Sequence, residues 1–274
     1  MENSGMVILK SYCYSEQELD FVIAQLVESE GFIDKYLLYE FDVTHRGRPK
    51  PFRFKNILDQ VPKNLRNRLI YRPVSVKDIC IETDDPEIAH SVNERIQRSY
   101  FLNDSFVKIG KKDVIIEVDV DEIVYRSCYP ILIFLAKVLR IPLSFRMNQF
   151  YYKKFFLWKN IKFRSPVIYS QSAYFKREEI LESGFKISKN RDYPVSVPWP
   201  CGAHFSWVMS PKKMLRKLKS YAHSEYEVFA DIKILTKAIE DKKYIFDDNT
   251  DFQIQELKNN DKRIPIYLRS SRLD

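Results

Sequence analysis

The sequence predicts an α/β fold with a largely parallel central sheet and added antiparallel strands. Three observations carry this. Helical and extended apolar patterns alternate along the first half of the chain. The most β-branched run, Val114–Val118, stops abruptly in acids, as a central strand opening on a ligand site would. The aromatic stretch from Phe145 to Trp158 reads as extended rather than helical, adding antiparallel strands. Parallel strands joined by helical crossovers gather ligands beyond their carboxyl ends, so that edge is where function is expected.

The elements follow in order. Ser15-Glu-Gln-Glu18 has capping-box spacing, and Leu19, Val22, Ile23, Leu26 and Val27 recur at helical intervals until Gly31. Tyr36–Glu40 is a short apolar segment that suits a buried strand, running into the basic loop Thr44–Lys50. Pro86 suits a first helical turn after Asp85, with Ile88, Ala89, Val92 and Ile96 as the apolar stripe. After the Val114–Val118 strand come Asp119, Asp121 and Glu122, then a helix from Tyr129 to Arg140. The aromatics of Phe150–Trp158 could stack on sugar rings, although strand packing in a core explains most of them. Ser210-Pro211 starts a helix with Met214, Leu215, Leu218 and Tyr221 on one face, and a further helix spans about Val228 to Lys242. Beyond Asp247 the chain is polar and charged, with apolar residues too sparse to set a pattern.

Composition narrows the function classes. At 274 residues and 45% hydrophobic content the chain can bury a substantial core, and 6 Gly with 13 Pro exclude collagenous or linker-dominated architecture. No stretch of about 18 apolar residues is present to span a bilayer. The start, Met1-Glu-Asn-Ser-Gly5, lacks the basic and apolar regions of a secretory signal, so a cytoplasmic chain is expected. Cys13, Cys80, Cys128 and Cys201 are widely spaced, which favours reduced, partly buried thiols over a zinc knuckle or disulfide scaffold. With 45 Lys+Arg against 37 Asp+Glu the net charge is +8, favouring anionic partners without choosing among phosphates, nucleic acid and lipid.

The acids at the strand end are the strongest chemical signal. Asp119 and Asp121, one residue apart on an extended segment, can project to the same side and offer oxygens to Mg²⁺ or Mn²⁺ holding a diphosphate. The spacing alone is weak, since 37 acids in 274 residues give about five such pairs by chance. Its place after a buried strand in a basic chain is what singles it out. Solvated loop acids or a helix cap are the alternative.

Several segments, taken in order, resemble glycosyltransferase family 17, which includes the β-1,4-mannosyl-glycoprotein N-acetylglucosaminyltransferases. Glu18-Leu-Asp20 is similar to the family's early acidic stretch, and Glu40 with Thr44-His45-x-Gly47-x-Pro49-Lys50-Pro51 to its Glu and Thr-His-x-Gly-x-x-Lys-Pro segment. Asn93-Glu94 with Gln97-Arg98 resembles an Asn-Glu-x-x-Gln-Arg helix, and Asp113–Ile123 the family's aspartate motif. Gly202-Ala-His204-Phe-Ser206 resembles Gly-Trp-His-Phe-Ser, and Lys217–Glu225 the Lys-Leu-x-Ser-x-x-His-x-Glu segment. Ala203 departs from the family's Trp, Val124 from its frequent Pro, and the membrane anchor of the animal enzymes is missing.

The resemblance implies a GT-A-like glycosyltransferase domain over residues 1–247 with a polar C-terminal extension over 248–274. It also implies inverting transfer of a sugar, with N-acetylglucosamine suggested, from a nucleotide-sugar donor, UDP-linked in the nearest analogy, to a glycan hydroxyl with Mn²⁺ or Mg²⁺. Asp119, Asp121 and His204 are the implied metal set, with His223 as an alternative to His204. Glu40, Thr44, His45, Lys50, Arg98 and Asp119 are assigned to the donor, and Glu225 and His223 to catalysis, Glu225 as base. The lysine-rich face of the helix from Pro211 could touch anionic lipid at a membrane periphery, with a solvated face as the simpler reading. Nucleic acid is not the expected partner. Two other readings compete: a phosphohydrolase or nucleotidyltransferase using the same acids, and a basic binding module for which the acids are incidental.

Overall fold

The computed structural model describes residues 5–14, 18–102, 104, 108–161, 163–170, 195–219, 223–247 and 250–273. Among these, strands β1 (Val7–Cys13), β2 (Lys35–Phe41), β3 (Leu69–Val74), β4 (Val114–Glu117) and β5 (Glu122–Val124) come first in the chain. They are followed by β6 (Leu143–Tyr151), β7 (Phe156–Trp158), β8 (Phe163–Ser170), β9 (Ser196–Ser206) and β10 (Ile254–Glu256). The strands β3, β2, β1 and β4 lie side by side and parallel. The sheet continues through β8, β6, β7 and β10 in antiparallel pairs. Strand β9 runs parallel to β6 and antiparallel to β5. The α/β architecture, parallel at its centre and extended by antiparallel strands, is the one expected.

Helix α1 (Leu19–Glu28) buries Phe21, Val22, Ile23, Ala24 and Leu26 against one sheet face, together with Tyr129, Leu132 and Ala136 of the Tyr129–Leu139 helix. Ser15–Gln17 lie outside the described residues; Glu18 Oε2 accepts a hydrogen bond from Tyr14 N at 2.6 Å. The opposite face is covered by the helical run Pro86–Ile88, Ala89–Glu94 and Arg95–Ser99, the middle piece π-helical. It starts as the sequence indicates, with Pro86 in the first turn and Asp85 Oδ1 accepting from Glu87 N at 2.8 Å.

A third cluster packs Tyr151, Tyr152, Phe156 and Trp158 on Trp207, Met214 and Leu235, so these aromatics are core and are not presented to a sugar. The helix expected over Val228 to Lys242 divides into a 3-10 segment, Ser224–Phe229, and a helix, Ile232–Glu240. The reason is local: Asp231 Oδ1 accepts from Lys233 N and Ile234 N and restarts the chain as an N-cap.

The C-terminal segment, polar by composition, is tied into the body. β10 pairs with β7, and the Ile266–Ser270 helix packs on α1 with Ile264, Leu268 and Leu273 buried. Glu28 secures it, its Oε1 accepting from Ile266 N and its Oε2 from Arg126 N.

Strand β1 escapes a periodicity reading because Lys10 interrupts it. Lys10 is fully buried, and its Nζ lies 3.0 Å from Glu117 Oε1 on the neighbouring β4. The ammonium also donates to Arg98 O at 3.2 Å and sits 3.4 Å from the Phe101 ring centre. Burial pulls the Lys10 pKa down from 10.5 to about 8, against the opposing pull of Glu117. Lys10→Met would strand the Glu117 charge and should cost about 3–5 kcal/mol at pH 7. Between about pH 8 and 10.5 the unfolded chain still carries the proton that folded Lys10 has released, so the Lys10 contribution to stability rises with pH there. Urea unfolding should therefore show the gap between wild type and Lys10→Met widening across that window; a flat or narrowing gap contradicts the assignment.

Candidate active site

Because β1, β2 and β4 are parallel, their carboxyl ends open on one edge. That edge receives Tyr14 after β1, the Asp42–Lys50 loop after β2, and Val118–Asp121 after β4. The acids therefore stand where the strand pattern places them, and Asp119 and Asp121 turn to different partners.

Asp119 meets Arg98. Arg98 Nη1 donates to Asp119 Oδ1 at 2.8 Å and Nη2 to Oδ2 at 3.3 Å, while Nε donates to Glu94 Oε1 at 2.7 Å. The planar fork suits this two-carboxylate grip. Burial works against the charge on Arg98, but Asp119 and Glu94 outweigh it and drive its pKa higher still, so it remains a cation. Glu94 Oε2 lies 3.9 Å from His45 Nδ1, and His45 Nε2 is hydrogen-bonded to Tyr14 Oη at 2.7 Å. Arg98, Asp119, His45 and Tyr14 thus form one connected wall.

Asp121 meets His204. The β5 and β9 register pairs Glu122 with His204, and β6 places Gln149 beside His204 on its other side. Gly202 permits the close approach of β5: a Cβ there would lie 2.5 Å from Ile123 O and 2.6 Å from Met147 Cε. His204 Nδ1 is 2.8 Å from Gln149 Oε1, which accepts its proton; in the neutral tautomer this bond selects, Nε2 is the nitrogen able to ligate a cation. Nε2 lies 3.7 Å from Asp121 Oδ1. Carboxylate oxygen suits either Mn²⁺ or Mg²⁺, and the imidazole nitrogen favours Mn²⁺; at 3.7 Å the two atoms are wider than the roughly 3.0 Å of adjacent ligands, so a bound cation would draw them together. Among the described residues no group of three His, Cys, Asp or Glu forms a ready-made cage. A pair fits the mode in which one or two side chains share a divalent cation with substrate phosphates.

The basic loop is built around its own backbone. Thr44 Oγ1 accepts from Arg48 N at 3.2 Å, and Thr44 O from Gly47 N at 2.9 Å. Gly47 has φ 73°, and a Cβ on it would meet Ile81 O at 2.2 Å, so both its handedness and its contact demand glycine. Glu40 is fully buried; its carboxylate accepts from Arg53 N at 2.8 Å, Phe54 N at 3.1 Å and Tyr71 Oη at 2.6 Å. It therefore holds the chain that follows the loop rather than facing the edge. Lys50 Nζ is buried 3.7 Å from Glu40 Oε1, so its charge sits beside that inward-facing carboxylate.

His223 and Glu225 form a dyad, with His223 Nδ1 2.7 Å from Glu225 Oε1, both partly exposed. Burial opposes the Glu225 charge slightly, but a backbone hydrogen bond and His223 hold its carboxyl below the ordinary range. Arg46, almost wholly buried, anchors this segment to the loop by donating to Glu227 Oε2 at 2.8 Å and Leu218 O at 3.3 Å. Residues 220–222, part of the motif read from Lys217 to Glu225, lie outside the described residues.

Two contributors, Tyr14 and Gln149, carry no sequence signal of their own and act through a partner fixed by the fold, whereas Glu94 and Arg46 fall inside recognised motifs without their partners being legible there. Arg98→Met would leave Asp119 and Glu94 facing each other's charge across a partly dry site. A loss of about 2–3 kcal/mol is expected by urea unfolding at pH 7, at the low end for a broken buried pair because both acids keep some solvent. Wild-type stability in that variant would show the fork to be unimportant.

Residues 7–252 match Glycosyltransferase family 17. No curated protein matches the sequence. Among solved structures, 4-diphosphocytidyl-2C-methyl-D-erythritol synthase from Anaerococcus prevotii is 10% identical with a TM-score of 0.41, covering 85% of this chain and 97% of that one. The galactosyltransferase LgtC, solved with donor and acceptor sugar analogues, is 9% identical with a TM-score of 0.39, covering 86% and 96%. Neither likeness informs the site. The family match spans most of the chain and includes the strand-end acids, His204, and the His223–Glu225 dyad: the chain belongs to glycosyltransferase family 17.

Proposed function

We propose that the chain is a metal-dependent inverting glycosyltransferase that moves a sugar, N-acetylglucosamine by family analogy, from a UDP-linked donor to a glycan hydroxyl. The observation that carries this reading is the placement of His204 Nε2 3.7 Å from Asp121 Oδ1 at the mouth of the parallel strands, beside the Arg98–Asp119 fork. Asp121 and His204 would hold Mn²⁺ or Mg²⁺. When bound, the cation supplies charge neutralisation to the departing diphosphate.

The chain's own residues supply the rest. Asp119 holds Arg98 at the edge, where the guanidinium adds positive potential for the donor phosphates. Tyr14 and His45, in edge-to-face contact with centroids 4.9 Å apart, offer an aromatic wall for the nucleoside. Thr44 and Glu40 act on the donor through the loop they shape. The dyad geometry favours His223 as base: Glu225 accepts from Nδ1–H and orients the ring for proton transfer. As the acceptor oxygen bonds to the anomeric carbon, its proton passes to His223 and the bond to the diphosphate oxygen breaks on the opposite face. The leaving nucleoside diphosphate takes the bonding pair, through an oxocarbenium-like transition state.

Two variants test this. Asp121→Ala should fold normally and lose metal-dependent turnover of a UDP-sugar, because the side chain sits at a strand end with 16% exposure and supports no core. Glu225→Gln should lower kcat about 10²-fold with the donor KM little changed, since the amide no longer holds the His223 ring as the carboxylate does. Retained metal-dependent turnover in the first, or wild-type kcat in the second, contradicts the corresponding role.

A further inference from the structure

Gln25 lies in the middle of α1, 1% exposed, and belongs to none of the family motifs. Its amide nitrogen points at the back of the turn that carries the two acids. Nε2 is 2.8 Å from Asp119 O, 3.1 Å from Val120 O and 2.8 Å from Glu122 O. Two N–H hydrogens therefore serve three carbonyls, one of them shared. The orientation of the amide is set by Tyr36, whose hydroxyl donates to Gln25 Oε1 from near the start of β2.

Three further main-chain groups of the turn are tied as well. Asp119 N donates to Glu122 Oε2 at 2.7 Å, Glu122 N to Asp119 O at 2.9 Å, and Phe205 N to Asp121 O at 2.8 Å. Drawing three carbonyl oxygens toward one buried point leaves the side chains of Asp119 and Asp121 to face the edge. Carbonyl oxygens brought together without a donor repel one another and lose solvation, so the turn cannot keep this shape unless the amide is there.

We infer that Gln25 is a positioning residue for the donor site: through the three carbonyls it fixes where the Asp121 carboxylate stands. It thereby sets how tightly the turn takes a divalent cation together with a nucleoside diphosphate. The inference rests on the metal-dependent reading above. Misplacing a ligating oxygen by about an ångström is enough to cost a large part of an active-site interaction.

The test uses the full chain and Gln25→Met, which keeps length and apolar packing and removes the amide. Hydrogen exchange without ligand should speed up at least ten-fold at the amides of residues 119–122 and stay unchanged in β2. Calorimetry of UDP should show at least ten-fold weaker binding in the presence of Mn²⁺ and equal binding in its absence. Should Gln25→Met not fold, Tyr36→Phe, which frees the amide to rotate, is expected to move both readouts in the same direction by a smaller factor. A folded variant with wild-type exchange at the turn and wild-type metal-coupled affinity overturns the inference alone. Wild-type protein that binds UDP equally with and without Mn²⁺ overturns the reading on which it rests, and the inference with it.

Discussion

Everything at the candidate site depends on one constraint: a turn bearing two carboxylates is held rigid at the carboxyl end of a buried parallel strand. Solvation does not hold it, since Val118, Val120 and Glu122 are buried on its inner side. Its shape comes from hydrogen bonds to the main chain, from Gln25 behind and Phe205 beside it. With the backbone fixed, the two acids separate in direction, Asp119 to Arg98 and Asp121 to His204. A mobile turn could satisfy neither partner for long, because each gains only when its opposite charge or dipole waits in place.

The electrostatics of the sheet are arranged around the same point. Glu117, two residues before Asp119, is matched by Lys10 inside the core, while Asp119 is matched by Arg98 at the edge. The carbonyl of Arg98 in turn accepts from Lys10 Nζ and from Tyr12 Oη at 2.5 Å, so the interior pair supports the residue that grips the exposed acid. An excess of cations in the whole chain is consistent with an anionic ligand, yet at the site itself acids and bases are locally balanced. On the proposed reading, phosphate oxygens would lie toward Arg98 and a divalent cation toward Asp121 and His204.

Much of this was legible in the residues, and the limits are physical. Val114–Val118 ending in Asp119 identifies a strand and its mouth because a β-branched run and an abrupt change of polarity are local signals. Family motifs bring out His204, His223 and Glu225, but spacing in the chain does not reveal that β9 sets His204 beside Asp121; that follows from pairing between distant strands. Glu40 illustrates the opposite case. A motif acid at a strand end looks exposed in sequence, while the fold turns it inward to satisfy the amides of Arg53 and Phe54. β1 was hidden by a lysine whose partner lies 107 residues away, and the C-terminal helix by apolar residues spaced too widely to show a period. Gln25 gave no signal, since a glutamine in an amphipathic helix is ordinarily a surface residue.

The most direct measurement is anomalous diffraction from crystals grown with Mn²⁺ and UDP. The account predicts a single strong manganese peak in contact with the Asp121 carboxylate, His204 Nε2 and the diphosphate, with Arg98 still bound to Asp119. A bound diphosphate with no manganese at that position, or manganese held elsewhere on the chain, would contradict it.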